Sequence, residues 1–220
     1  MLSLKQLGAV YLIIISFSAK AQRWSKVFTD SNSFAIETTK IAGKSHIGYI
    51  NKRTYYLLNA KGDTLIRKTD YYFDAHFKDF NQDGFADIVL QYESNAPGVW
   101  DLFLYVPTTG KFRQITRFRD FPAAERLKGT NLFYSYHKSG CADMNWDSDL
   151  FYIKNYKAIK IGNIAGRECS DVKNGIFIYK TEVQKNILFT KLSIDVIQNY
   201  KNYKWGFIHE YWTKNHKLFM

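Results

Sequence analysis

The sequence predicts an all-β fold, propeller-like or a related multi-hairpin sheet assembly, and three observations lead there. Short apolar or alternating runs recur at a spacing of roughly 8 to 12 residues, as in sandwiches, barrels and propellers. Clusters of Gly, Asn, Asp and Lys separate those runs. Aromatic residues, which fit the pleated surface of strands, make up 17% of the chain against only three prolines, which sets it apart from disordered or linker-rich sequences.

The elements follow in order. Residues 22–45 are weakly patterned and read as a peripheral first strand. Residues 54–58 and 63–67 form a hairpin, with Gly62 supplying the left-handed turn residue. The apolar run 88–92 is a strand, and 100–106 pairs with 111–116 across Pro107-Thr-Thr-Gly110. Further strands are read at 132–137, 149–154, 158–161, 175–182, 187–193 and 205–212. Helix is expected only as a turn at 122–127 and another at 192–200. No composition shift divides residues 22–220, so they are read as a single all-β domain, long enough to bury one good core.

Residues 1–21 have the form of a secretory signal peptide. Lys5 is the basic start, Leu7 to Phe17 is apolar apart from Gly8 and Ser16, and Ala19-x-Ala21 places small residues before a cut ahead of Gln22. The apolar stretch is shorter than the roughly 20 residues that span a bilayer, and no cysteine marks the cut for a lipid anchor. The expectation is a periplasmic or secreted protein with no membrane span.

Removing residues 1–21 takes away Lys5 and Lys20 and no acid, which lowers the formal net charge from +11 to +9. The lysines are scattered, with no run of five, which indicates a solvated basic surface. Export and the lack of a basic stripe exclude nucleic acid as partner. Two cysteines, Cys141 and Cys169, remain after export, and an oxidising compartment favours a bridge between them. Such a bridge closes a loop of about 29 residues and on the chain-entropy model contributes roughly 3 to 4 kcal/mol.

The clearest chemical motif is Asp79-Phe-Asn-Gln-Asp83-Gly-Phe-Ala-Asp87. Alternate residues of a tight loop point inward, and calcium takes only hard oxygen donors. Asp79, Asn81, Asp83 and Asp87 supply side chains, Phe85 supplies a carbonyl, and Gly84 permits the reversal. The place of an EF-hand's closing glutamate is taken by Leu90, so a strand and no helix follows. The alternative is a metal-free turn in which the Asx side chains bond their own backbone. A second cluster, Asp143, Asn145, Asp147 and Asp149, lacks the turn glycine and reads as a solvated turn sooner than a metal site.

The Asp79–Asp87 loop resembles the Asp-x-Asn-x-Asp-Gly-x-x-Asp loops of FG-GAP and VCBS-type β-propeller repeats, with one copy where such repeats show several. That resemblance implies a Ca2+ cofactor and a strand packed into a blade. Together with the hairpin ending in Thr109-Gly-Lys-Phe112, Tyr134-Ser-Tyr136 and the two cysteines, the chain resembles bacterial envelope lysozyme inhibitors and immunity proteins against peptidoglycan hydrolases. The likeness covers residues 70–170 and implies a muramidase as protein partner, engaged by Tyr136, His137 and Lys138 beside Cys141. The expected absence of a lipid anchor and the basic surface depart from that group.

Serine-hydrolase, zinc-protease and nucleotide-loop signatures are absent, and the five histidines lack metal spacing, so no enzyme is expected. The alternative function is an extracellular glycan- or cell-surface-binding module, with Trp100, Trp146, Trp205 or Trp212 stacking on sugars. Core packing is the competing role for each of them.

Overall fold

The computed structural model describes residues 30–169, 174–183 and 185–220. The signal peptide read at residues 1–21 therefore lies outside the described residues. Among the described residues, strands account for 52% and helix for 15%, in three antiparallel sheets with none closed into a barrel, so the all-β reading holds. The chain divides into two compact units. One runs to Lys78 and includes Ile88–Glu93; the other takes Asp79–Asp87 and Ser94–Met220.

The first unit is built on a meander of β1 (Ser33–Ile41), β2 (Lys44–Asn51), β3 (Thr54–Asn59) and β4 (Thr64–Thr69), paired in chain order. Its two-residue turns place Ala42 and Gly43, then Lys52 and Arg53, at positive φ, the hand that matches strand twist. Gly62 takes φ 80 in the third turn, as read from the sequence. Ile47, Ile50, Tyr55, Leu57 and Leu58 are buried there. A second four-stranded sheet consists of β5 (Tyr72–Lys78), β6 (Asp87–Tyr92), β7 (Trp100–Val106) and β8 (Lys111–Gln114).

The third sheet lies in the second unit and has the order β15-β14-β13-β12-β10-β9, with β11 also on β12. Its members are β9 (Glu125–Arg126), β10 (Leu132–Tyr134), β11 (His137–Lys138), β12 (Trp146–Lys154), β13 (Lys157–Arg167), β14 (Gly175–Glu182) and β15 (Lys185–Leu192). Alternation along β12 separates two faces. Leu150, Ile164, Ile176 and Ile178 join Phe207, Ile208, Trp212 and Phe219 in one core, and Trp212 Nε1 donates to Ser148 Oγ at 2.9 Å. Gly166 is required by this packing, since a Cβ there would stand 2.1 Å from the Trp146 ring. The other face carries Asp147, Asp149, Asn163, Phe177 and Tyr179.

Two expected elements are corrected. Residues 205–212, read as a strand, lie in helix α1 (Lys204–Asn215). Their aromatic and β-branched content favours strand, yet buried Phe207, Ile208 and Trp212 fall at helical spacing, and packing against the sheet overrides propensity. Residues 122–127 form no helical turn. Ala123 takes φ 48 and its N–H donates to the Gly98 carbonyl at 2.7 Å, which leads the chain straight into β9. A 3-10 turn does form at Ile194–Asn199, within the stretch read as helical.

Candidate functional site

The Asp79–Asp87 loop belongs wholly to the second unit. Asp79 accepts from the N–H of Asp83 and of Gly84, both at 3.0 Å. Asn81 Oδ1 accepts from Asp83 N–H at 3.1 Å, and Asp83 Oδ1 accepts from Phe85 N–H at 2.9 Å. Gly84 reverses the chain at φ 90. Asp87 is fully buried, with Oδ2 on the Phe80 N–H at 3.0 Å and Oδ1 on the Tyr105 N–H at 2.9 Å. Burial pushes its carboxyl up to about 6, against the lowering effect of those two N–H donors. Phe80, between the donors Asp79 and Asn81, stacks on Phe133 at 5.2 Å and anchors the loop to the core.

The donor set fits calcium in chemistry, because every donor is oxygen. In placement the side chains turn onto the loop's own amides, the Asx form. Among the described residues no three His, Cys, Asp or Glu groups stand ready to hold a metal. Asp79, Asn81 and Asp83 are the exposed or half-exposed members, and Asp87 ties the loop to β7.

Cys141 and Cys169 form a disulfide, with Cα atoms 6.2 Å apart. The segment before it differs from the sequence reading. Tyr136 is buried, its ring 3.8 Å from that of Trp205 and its hydroxyl donating to Asp143, so it offers no aromatic face to a partner. Lys138 is exposed. Asp143 pairs with Lys204 at 3.0 Å, and Asn145 Oδ1 accepts from the N–H of Glu168 and Cys169. Asp147 and Asp149 are buried on β12 and belong to no solvated turn. Trp146 and Trp212 are buried in the core and unavailable to a sugar, while Trp205 lies against Tyr136 yet stays exposed.

His137 of the predicted trio lines a cavity. It measures about 410 Å³ and sits on the polar face of the third sheet. Two rows of register build it. His137, Asp147, Ala165 and Phe177 follow one another across four strands, with Lys191 continuing the row on a fifth outside the cavity lining, and Asp149, Asn163 and Tyr179 form the next row. Asn163 Nδ2 donates to Asp149 at 2.9 Å and Asp147 at 3.3 Å. Arg167 Nη2 donates to both Asp147 oxygens, at 2.9 and 3.1 Å, and Ser139 donates to the same carboxylate. Lys160 lies 3.4 Å and His137 Nε2 3.7 Å from Asp149. Burying two carboxylates is tolerable only with such partners.

The Asp149 carboxylate beside His137 raises the imidazole pKa, against the opposing effect of burial. A histidine whose folded pKa is raised adds stability that is complete below its ordinary 6.5 and is lost as pH rises through the folded value. His137→Gln is therefore expected to flatten the fall in melting temperature between about pH 6 and pH 8. An unchanged slope in the variant would show that the pair contributes nothing.

Sequence reasoning missed the cavity because its rows join residues far apart in the chain. One signal was present: alternation of Trp146, Ser148 and Leu150 with Asp147 and Asp149 is the pattern of a two-faced strand. No protein-family profile and no curated protein sequence matches the chain. Among solved structures it is similar to one described as "Structure of a Xanthomonas Type IV Secretion System related protein", at 13% identity and a TM-score of 0.44, over 72% of this chain and 87% of that one.

Proposed function

We propose that the protein is an exported, calcium-stabilised binding protein that recognises an extracellular glycan through the polar cavity of its third sheet. The observation that carries this is the shape of the site. His137, from the segment expected to project into a partner, instead lines a concave surface with Asp147, Asp149, Asn163, Lys160 and Arg167. A hollow lined by fixed polar groups receives a ligand group; it does not fill an enzyme's cleft. Tyr179 on one wall suits the C–H face of a sugar ring. Nothing in this arrangement requires turnover. The disulfide fits the oxidising periplasmic or secreted setting.

Asp79, Asn81, Asp83 and the Phe85 carbonyl would hold the calcium, with Asp87 closing the loop. Two successive four-stranded antiparallel sheets, β1–β4 and β5–β8, have the strand number of propeller blades. The seven-stranded third sheet does not, which limits the propeller-like reading to the first two.

Inhibition of a muramidase is the second reading, and one observation favours it. Gly140, Cys141, Ala142 and Asp143 all take positive φ and are tied down by the disulfide, with exposed Met144 following. Strain of this kind collects at functional surfaces. The test uses residues 22–220 against a panel of envelope glycans and a panel of peptidoglycan hydrolases. Specific glycan binding that Tyr179→Ala with Asn186→Ala, the latter on β15 and also lining the cavity, removes at unchanged melting temperature is the expected result. Stoichiometric inhibition lost on Lys138→Ala with Met144→Ala, with no glycan bound, would replace it by the second reading.

A further inference from the structure

The charges of the cavity are layered. The Asp147 and Asp149 side chains retain 12% and 6% of their exposure, whereas Arg167, Lys160 and His137 retain 27%, 33% and 30%. The carboxylates form the floor and the cations form the mouth. Each acid holds a cation in place: Arg167 is gripped by Asp147 and by the Trp146 and Gly166 carbonyls at 2.8 Å, while Lys160 and His137 flank Asp149. What a ligand meets is therefore N–H. An ammonium carries three donors and a guanidinium five, with no acceptor on either; both Nη groups of Arg167 are turned to Asp147 and the two carbonyls, so its Nε–H and the Lys160 ammonium are the donors left for a ligand. Lys191, outside the cavity lining, covers the Phe177 ring at 5.1 Å.

We infer that the cavity binds the carboxylate of an acidic saccharide, such as a uronic acid, with the sugar ring laid on Tyr179. The carboxylate meets Arg167, Lys160 and His137 as charge-assisted hydrogen bonds. Buried acids beneath the cations fix their positions before the ligand arrives, which lowers the cost of ordering them. The net charge of +9 on residues 22–220 attracts an anionic polymer to the protein as a whole. Tyr179 lies directly opposite Asn163 in the register, at the edge of the charged group, where a pyranose attached to that carboxylate would rest. This inference rests on the cavity being the recognition site.

Calorimetry on residues 22–220 tests it with four probes: an oligouronate, the neutral oligosaccharide of the same linkage, inorganic phosphate and an oligoglutamate peptide. The oligouronate is expected to bind at least about tenfold more tightly than the others, and more weakly as salt rises. Lys160→Gln should remove most of that preference, and Tyr179→Ala should weaken both saccharides. Equal binding of the acidic and neutral saccharides, both lost in Tyr179→Ala, would overturn the anion inference and leave the cavity as a glycan site. Tighter binding of phosphate or of the peptide would overturn the saccharide. Binding of the oligouronate undiminished by both variants would overturn the cavity itself.

Discussion

Asp87→Ala is expected to destabilise the protein by about 3 kcal/mol in chelator, before any calcium is added. The reason is the fate of two amides. Asp87 is fully buried and accepts from the N–H groups of Phe80 and Tyr105, and an orphaned buried donor costs roughly 1 to 3 kcal/mol. Asp79→Ala and Asp83→Ala remove carboxylates that are exposed and bond amides water can also reach, so in chelator each should cost below about 1 kcal/mol. Calcium then separates the roles. An ion bound only by the folded state adds about 2.7 kcal/mol at a hundredfold excess over Kd, and Asp79→Ala or Asp83→Ala should abolish that gain. Denaturant titration of metal-stripped protein, with and without calcium, reads both effects. Equal loss in all three variants in chelator would refute the division of labour, and no calcium effect on the unmodified protein would refute the ion.

The loop and the hairpins were legible because each is local. The sequence Asp79-Phe-Asn-Gln-Asp83-Gly carries its own turn chemistry, and Gly62 and Gly110 announce the turns at which they take positive φ. The turn at Lys52-Arg53 was hidden, since its left-handed residues include neither glycine nor proline, whereas the turn at Asn155-Tyr156 falls in the gap read between strands 149–154 and 158–161. The cysteine bridge followed from counting and compartment. Helix α1 was not legible, because Trp205 to Trp212 has strand-like composition and becomes helical through the apolar face of the third sheet. Tyr136 failed for a related reason: one residue of the segment faces the core and the next, His137, the cavity, and a strand's alternation assigns them only once β11 is known to pair with β12. The cavity depends on register across five strands, which no single stretch of sequence encodes.

Removal of the Arg167 guanidinium is the second large effect expected. Arg167→Met keeps much of the stem volume but leaves the Asp147 carboxylate, at 12% side-chain exposure, without its ion-pair partner. Two carbonyl contacts, to Trp146 and Gly166, disappear as well. Loss of one member of a buried pair costs about 3 to 5 kcal/mol. Here the residual exposure and the remaining donors, Ser139 and Asn163, bring the expectation to about 2 to 4 kcal/mol. The cost arises from an uncompensated charge, so it should shrink when that charge is removed. Asp147→Asn placed on Arg167→Met is expected to recover about 1 kcal/mol or more, although Asp147→Asn alone destabilises, and this non-additivity is the signature of a coupled pair. The same cycle bears on binding. In the double variant the fold recovers while the cavity mouth still lacks its guanidinium, so oligouronate affinity should stay low. Recovery of affinity together with stability would mean that Arg167 only props up the fold, and that the cations at the mouth do not meet the ligand.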